Sequence, residues 1–117
     1  MNHFKAEFYR TKDGKKPAKE FMLSQDPKMK AKLFELVNLL EQYGNQLREP
    51  YSKSLGDGIF EIRAKVGTDI TRVLYFSICE ERIILTNGFV KKMQEMPSSE
   101  IKKAKQYRKD FLERCNK

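Results

Sequence analysis

The feature that most constrains the fold is a series of three strand-like segments in the second half of the chain. Residues 59–66 alternate in side-chain character, and residues 70–78 and 82–90 are rich in β-branched and aromatic side chains. The connections between the segments are short, so consecutive strands are expected to pair antiparallel. The pattern therefore predicts an antiparallel meander and excludes a doubly wound parallel sheet.

Other elements precede and follow this meander. The chain begins with a period-2 strand over residues 3–10, followed by a short helix over 17–23 and a longer one over 26–44. Residues 45–58 contain a proline and two glycines and predict a loop, and a last helix starts near Ser98. The order β-α-α-β-β-β-α predicts an α+β fold. Its largely antiparallel sheet is packed by an N-terminal helical hairpin and a C-terminal helix.

The length and composition fit one globular domain. Of 117 residues, 39% are hydrophobic and 34% charged, which permits a core and is not typical of disorder. The apolar runs are far shorter than a membrane span, and the N-terminus carries charges where a signal peptide needs apolar residues. We therefore expect a single domain over residues 1–117, located in the cytoplasm and without membrane contact.

The counts of histidine and cysteine exclude several kinds of site. His3 is the only histidine, so the chain cannot form a zinc site with two histidines or a ribonuclease site with two catalytic histidines. Cys79 and Cys115 form no CxxC pair and are expected to stay thiols in a reducing cytoplasm. Any chemistry must therefore depend on lysine, arginine, tyrosine and carboxylate side chains, with no metal or other cofactor.

The net charge of +8 is concentrated at the two ends of the chain. Residues 1–20 carry +3 and residues 91–117 carry +5, whereas residues 21–90 are neutral overall. This distribution favours a polyanionic partner, either nucleic acid or an acidic protein. A lysine-rich solvated surface would have the same charge, so both interpretations stay open at this point.

The register of the first hairpin of the meander places two arginines together. If Gly67-Thr68 forms a two-residue type II′ turn, Arg63 lies directly opposite Arg72. Like charges at such positions destabilise a sheet, so removing either arginine should relieve repulsion. Their presence suggests that an anion is bound between them.

The register of the second hairpin extends this group of side chains. If Glu80-Glu81 forms the turn, Arg72 faces Phe89 and Lys91 follows on the same side, beside Glu61. The apolar residues expected on the rest of this face are Leu74, Phe76, Ile83 and Leu85.

These residue types suit the cleavage of RNA. Arginine binds a phosphate through two hydrogen bonds and stabilises the charge that develops on it during reaction. Phe89 offers a ring for an unstacked base. Crowded cations lower the pKa of a lysine, so Lys91 or Lys92 can accept the proton of a ribose 2′-OH. The alternative is an ordinary mixed-charge surface, with Arg63 in a salt bridge to Glu61 or Glu81.

Three segments resemble a known toxin family. They read LGDGIFEIR over residues 55–63, RVLYF over 72–76 and LTNGFVKKMQEMP over 85–97. Together they resemble the phage-derived branch of the HigB toxins, within the RelE/ParE superfamily, over roughly residues 50–108. The resemblance implies a RelE-like fold and a ribosome-dependent mRNA endonuclease of a type II toxin–antitoxin module.

The resemblance also implies a mechanism, partners and site residues. In such toxins the 2′-OH of mRNA in the ribosomal A site attacks the adjacent phosphate without a metal. A HigA-type antitoxin with a helix-turn-helix domain neutralises the toxin, and we expect their complex to be a heterotetramer. The positions that match as catalytic are Arg63, Arg72, Lys91, Lys92, Glu61 and Tyr75. The expected RNA-binding residues are Phe89, Lys65, Lys102, Lys103 and Arg108, although the lysines of the last helix also fit a solvated helix face.

Two other functions fit the same sequence. A ParE-like relative would inhibit DNA gyrase with the same fold and without nuclease activity. A non-catalytic nucleic-acid-binding protein would need only the basic surface. The paired arginines favour the nuclease over the gyrase inhibitor, because binding gyrase does not require a patch that holds a phosphate.

Overall fold

A five-stranded sheet separates the helices into two layers. The computed structural model describes residues 4–79, 81–91 and 97–115. The elements in chain order are β1 (Lys5–Phe8), α1 (Pro17–Leu23), α2 (Pro27–Tyr43), β2 (Ser52–Gly56), β3 (Ile59–Val66), β4 (Asp69–Ile78), β5 (Arg82–Val90) and α3 (Ser98–Cys115). A 3-10 turn, Gly44–Gln46, follows α2. Helices α1 and α2 pack on one face of the sheet, here called the α1/α2 face, and α3 packs on the other, the α3 face.

This arrangement confirms the predicted α+β class and is compatible with a RelE-like fold. The strand order is β1-β5-β4-β3-β2. The consecutive strands from β2 to β5 pair antiparallel with one another, and β1 pairs parallel with β5. The sheet is therefore mixed. Among the helices of the described ranges, none combines the length and the apolar character that crossing a membrane requires.

The prediction of a continuous loop over residues 45–58 is wrong, because Ser52–Gly56 forms an edge strand paired with β3. This segment is rich in serine and ends in glycine, so it carries a weak intrinsic strand signal. Its pairing with β3 supplies the backbone hydrogen bonds that such a segment needs.

The second helix forms where its capping residues predict. The Asp26 side chain accepts a hydrogen bond from the Met29 amide at 3.0 Å, and Pro27 occupies the first helical position. Gly44 follows the last residue with a φ of +54°, and the ring of Phe4 leaves no room there for a Cβ atom. The buried side chains of this helix are Met29, Leu33, Leu36, Val37 and Leu40. This apolar stripe packs α2 against the sheet.

The register of the β3–β4 hairpin is confirmed. Arg63 pairs with Arg72, and the pairing continues to Val66 and Asp69, on either side of the turn. Gly67 takes a positive φ of +62°, as the first central residue of a type II′ turn does.

The β4–β5 hairpin also pairs Arg72 with Phe89, but its turn is not the predicted one. Ile78 pairs with Arg82, so the pairing on β4 ends one residue earlier than a two-residue turn requires, and Cys79 has a φ of +55°. A β-bulge at Thr86 then shifts the register by one residue. From the Leu74–Asn87 pair to the Thr71–Val90 pair, the two strands therefore have the register predicted from the sequence. One result is that Ile84 lies on the α3 face, whereas Ile83 and Leu85 lie on the α1/α2 face, which corrects their predicted placement.

Candidate active site

Helix α3 covers only part of its face of the sheet. Ala104 and Phe111 of α3 pack with Leu74, Phe76 and Ile84, and the Phe76 and Phe111 rings meet edge to face at 5.8 Å. Towards the β3–β4 turn, the same face carries charged side chains instead. Because the sheet alternates its side chains, this uncovered end collects Glu61, Arg63, Arg72, Phe89 and Lys91 on one side.

Glu61 lies between the two arginines. Its Oε2 is 3.1 Å from Nη1 of Arg72, and its Oε1 is 3.9 Å from Nε of Arg63. Glu61 is 0% exposed and Arg72 is 4% exposed, whereas the Arg63 side chain is 30% exposed. The salt bridge of Arg63 with Glu61 that the sequence left as an alternative is thus present as a loose contact, and the tighter partner of Glu61 is Arg72.

The cluster has unused hydrogen-bonding capacity. Both Glu61 carboxylate oxygens and the Nε atoms of Arg63 and Arg72 are buried and make no hydrogen bond to the described part of the chain. Buried polar atoms are nearly always paired in folded proteins, so atoms without a partner call for a ligand or water. The side chains of the cluster therefore do not satisfy its hydrogen-bonding capacity by themselves.

Two lysines complete the charged group. Lys91 follows β5, and its amide donates a hydrogen bond to the Ile70 carbonyl at 2.8 Å. Partial burial, followed by the positive charges of Arg72 and Arg63, holds the pKa of Lys91 below its ordinary value. Lys53 of β2 pairs with Glu61 across the sheet and lies on the same face. We call Lys53, Arg63, Arg72 and Lys91 the cationic cluster.

Lys53 is a residue that the sequence interpretation missed, because its strand was predicted to be a loop. The signal that could have found it is the alternation of Lys53 and Leu55 with Ser52 and Ser54. That alternation is short and lacks β-branched residues, so it was too weak to predict a strand.

Glu61 contacts both arginines and is fully buried. Burial raises the pKa of Glu61 above its ordinary value, and the neighbouring charges of Arg72, Arg63, Lys53 and Lys91 oppose this effect. Because its side chain is fully buried beneath the cations, it has no surface with which to touch an RNA. It fits the role of a positioning residue that holds Arg72 in place.

Tyr75 is not brought into the cluster. Since neighbouring residues of a strand point to opposite faces, Tyr75 lies on the α1/α2 face. It is 3% exposed, its hydroxyl is 2.6 Å from Oγ of Ser52, and its ring stacks on Phe60 at 5.5 Å. Burial raises the pKa of the Tyr75 hydroxyl. These contacts fit a structural role.

The predicted RNA-binding residues occupy several places. Phe89 is half-buried opposite Arg72, and Lys65 is exposed two residues after Arg63 on the same face. Lys102 and Lys103 are exposed on α3, where Nζ of Lys103 is 3.8 Å from Oε2 of Glu100. Lys92, also predicted as catalytic, lies outside the described residues.

Arg108 has a partner within the protein. Its guanidinium donates to the Asp57 carboxylate at 3.1 Å and to the Asp57 carbonyl, and Nζ of Lys105 is 3.4 Å from the same carboxylate. These contacts tie the middle of α3 to the β2–β3 turn.

A buried polar network at the β-bulge positions the first turn of α3 beside the cluster. Thr86 Oγ1 donates to the Leu74 carbonyl at 3.1 Å and also contacts Oδ1 of Asn87 at 2.7 Å. The Asn87 amide then donates to Oε1 of Glu100 at 3.0 Å and to its carbonyl at 3.3 Å. The sequence interpretation missed this network, since no turn or glycine marks the bulge.

The described residues offer no metal site, because none of their histidine, cysteine, aspartate and glutamate side chains form a group of three or more suited to an ion. What the cluster can do chemically follows from its side chains. The partly exposed Arg63 can bind a phosphate, the buried Arg72 can stabilise negative charge beside it, and a lysine with a lowered pKa can accept a proton there.

A family model described as phage derived protein Gp49-like (DUF891) matches residues 20–109. The match covers more than half of the chain and includes the whole cationic cluster. The chain belongs to this family. The Gp49-like family is associated with RelE/HigB-like toxins of toxin–antitoxin systems. No curated protein matches the sequence.

Proposed function

We propose that this Gp49-like protein is the toxin of a type II toxin–antitoxin system and a HigB-type mRNA interferase, which is a ribosome-dependent endoribonuclease. The observation that carries the proposal is the cationic cluster, which surrounds a buried carboxylate at the uncovered end of the sheet. A site that needed only to bind a protein would have no use for a lysine of lowered pKa beside two arginines.

The proposed reaction is a transphosphorylation within the RNA, in which one oxygen replaces another on phosphorus. The 2′-oxygen of one ribose forms a bond to the adjacent phosphorus as the bond from phosphorus to the 5′-oxygen breaks. Lys91, when neutral, takes the 2′-hydroxyl proton, and the leaving 5′-oxygen takes a proton from water, whose hydroxide the protonated Lys91 then neutralises. The products are a 2′,3′-cyclic phosphate and a 5′-hydroxyl, and the proposed scheme uses no metal ion or cofactor.

Arg63 and Arg72 supply the electrostatic part of this mechanism. Negative charge gathers on the phosphate oxygens during the transfer, and guanidinium groups held in place before the reaction stabilise it without reorganisation. Arg72 is held by Glu61 at 3.1 Å, and the more exposed Arg63 is free to approach the phosphate.

The proposed partners follow from the resemblance to HigB toxins, and the charge of the chain fits them. The ribosome would present mRNA in its A site to the cationic cluster, and a HigA-type helix-turn-helix antitoxin would cover the same basic surface, in a heterotetramer. With a net charge of +8, the chain should bind an acidic segment of the antitoxin, and added salt should weaken the binding.

The test is expression of the protein without its antitoxin in a bacterium, followed by mapping of mRNA ends and of DNA damage. We expect growth arrest with cuts inside reading frames, only in messages that ribosomes are translating, and no arrest with Arg63→Ala. Arrest with intact mRNA and damaged DNA would instead indicate a ParE-like gyrase inhibitor. Normal growth with intact mRNA would indicate a non-catalytic nucleic-acid-binding protein.

A further inference from the structure

A second concave surface adjoins the cationic cluster at the edge of the sheet. It is a pocket of about 430 Å³ lined by Lys32, Pro50, Tyr51, Arg63, Lys65 and Ile70. We call it the edge pocket. Arg63 belongs both to this pocket and to the cationic cluster, so the two surfaces are continuous.

The edge pocket exists because β2 is shorter than β3. Pairing between the two strands starts at Ser52 and Ile62, and the rest of β3, up to Val66, extends beyond it. Tyr51 lies at this step, where its carbonyl accepts a hydrogen bond from the Arg63 amide at 3.0 Å. The backbone of Tyr51 is therefore fixed directly beside a residue of the proposed active site.

The lining combines apolar surface with positive charge. Pro50 and Ile70 are apolar, and three cations, Lys32, Arg63 and Lys65, lie around them. Tyr51 is 43% exposed, so its ring is available to a ligand. A nucleotide of single-stranded RNA has the matching chemistry, since its base stacks on aromatic rings and its phosphates attract lysine and arginine.

We propose that the edge pocket binds the base of a nucleotide next to the scissile phosphate. In this arrangement Tyr51 stacks on the base, and Lys32 and Lys65 bind flanking phosphates. The inference rests on the proposed function, because it extends the path of the RNA from the cationic cluster. An acidic, apolar peptide of a protein partner is the competing occupant, but the shared Arg63 favours the strand that would be cut.

The first test measures binding of an uncleavable single-stranded RNA, a short 2′-O-methyl oligonucleotide, by fluorescence anisotropy. We expect Tyr51→Ala to weaken binding by about 5- to 100-fold, the range for loss of one base–aromatic stack, and Tyr51→Phe to bind within about twofold of the native protein. The matched control is Tyr43→Ala. Tyr43 is 48% exposed and lies roughly 16 Å further along α2 than Lys32, so its variant should bind normally. Equal affinity of Tyr51→Ala and the native protein would overturn the proposal.

The second test examines the phosphate contacts through salt dependence. If Lys32 and Lys65 each bind a phosphate, each alanine variant should reduce the slope of log affinity against log salt by about 0.7. Lys109→Ala, an exposed lysine of α3, serves as the control and should leave the slope unchanged. Unchanged slopes for both pocket variants would contradict this part of the proposal.

Cleavage mapping on translating ribosomes separates failure of the edge pocket from failure of the proposed function. We expect Tyr51→Ala to redistribute the cut positions, because the pocket would no longer select the neighbouring base. If the native protein binds RNA through Tyr51 but cuts no mRNA, the nuclease function fails and the pocket stands. If Tyr51→Ala binds and cuts as the native protein does but loses binding to its antitoxin, the pocket is a protein-docking site and the proposal is wrong.

Discussion

The two faces of the sheet are formed by the same strands but are completed in different ways. On the α1/α2 face, apolar side chains of the helices and strands meet in one core, and the buried hydroxyls of Ser52 and Tyr75 hydrogen-bond to each other. On the α3 face, the helix covers one end and leaves Glu61 with its cations at the other. Packing explains the first face completely, whereas it does not explain the charged end of the second.

The energetic comparison points the same way. Burying a carboxylate and a guanidinium costs several kcal/mol per ion, and a well-packed apolar pair would stabilise a protein as much or more. The Glu61–Arg72 pair is therefore poor evidence for a stabilising role. A partly unsatisfied group of charges with shifted pKa values is more typical of a functional site.

The largest effect should come from Arg72→Ala. This change leaves the Glu61 carboxylate buried without its closest cation, so we expect the free energy of unfolding to fall by about 3–5 kcal/mol. Cleavage should fall at least about 100-fold. Urea unfolding and cleavage rates measure the two effects. The sequence alone suggested relief of repulsion between arginines, and the position of Glu61 reverses that expectation.

The double variant Glu61→Leu/Arg72→Met separates the two effects of that change. An apolar pair in the same place should restore the free energy of unfolding to about the native value, while cleavage stays lost. Recovery of cleavage together with stability would show that the buried charges serve packing alone.

Arg63→Ala should damage function with little change in stability. The side chain is 30% exposed and 3.9 Å from Glu61, so we expect a change of less than about 1 kcal/mol in unfolding and a loss of about 100-fold in cleavage. Arg82→Ala is the matched control, because Arg82 binds Glu7 on the α3 face outside the cluster. A folded Arg63→Ala that cuts normally would remove this residue from the mechanism.

Lys91 should give cleavage its pH dependence. Its pKa is lowered, and a base acts when deprotonated, so the single-turnover rate should rise with pH as Lys91 loses its proton, then level off. Rates measured from neutral pH up towards the ordinary pKa of lysine would show this rise. Lys91→Ala should cut about 100-fold more slowly, without the rise. An unchanged pH profile in Lys91→Ala would assign the base to another group.

Tyr75→Phe should have the smallest effect. The change leaves the buried Ser52 hydroxyl without its partner, which should lower the free energy of unfolding by about 1–2 kcal/mol. Cleavage by the folded variant should equal that of the native protein, since Tyr75 lies on the α1/α2 face. Loss of cleavage in a folded variant would show that Tyr75 takes part in catalysis.

Local rules explain which parts of this architecture the sequence could predict. The helix over residues 27–43 has its cap and stop signals, and Gly67 fixes the β3–β4 register within its own turn. The pairing of Arg72 with Phe89 is correct for a different reason, because the one-residue offset at the Ile78–Arg82 pair and the bulge at Thr86 cancel each other. Bulges depend on tertiary packing, so no local sequence pattern predicted the bulge at Thr86.

The sequence could predict the residue types of the candidate site but not how deeply these residues are buried. Arg63, Arg72, Phe89 and Lys91 follow from strand alternation. Lys53 depends on an edge strand that only pairing stabilises. The full burial of Glu61 depends on the side chains that surround it from three strands, so it could not be read from one segment.

The most direct test of the account identifies the chemical ends of mRNA cut by the purified protein on programmed ribosomes. Attack by the 2′-oxygen predicts a 2′,3′-cyclic phosphate on the upstream fragment and a 5′-hydroxyl on the downstream one. Neither should appear with Arg63→Ala at equal thermal stability. A 5′-phosphate paired with a 3′-hydroxyl would mean that water is the nucleophile, and this result would contradict the assignment of the cationic cluster.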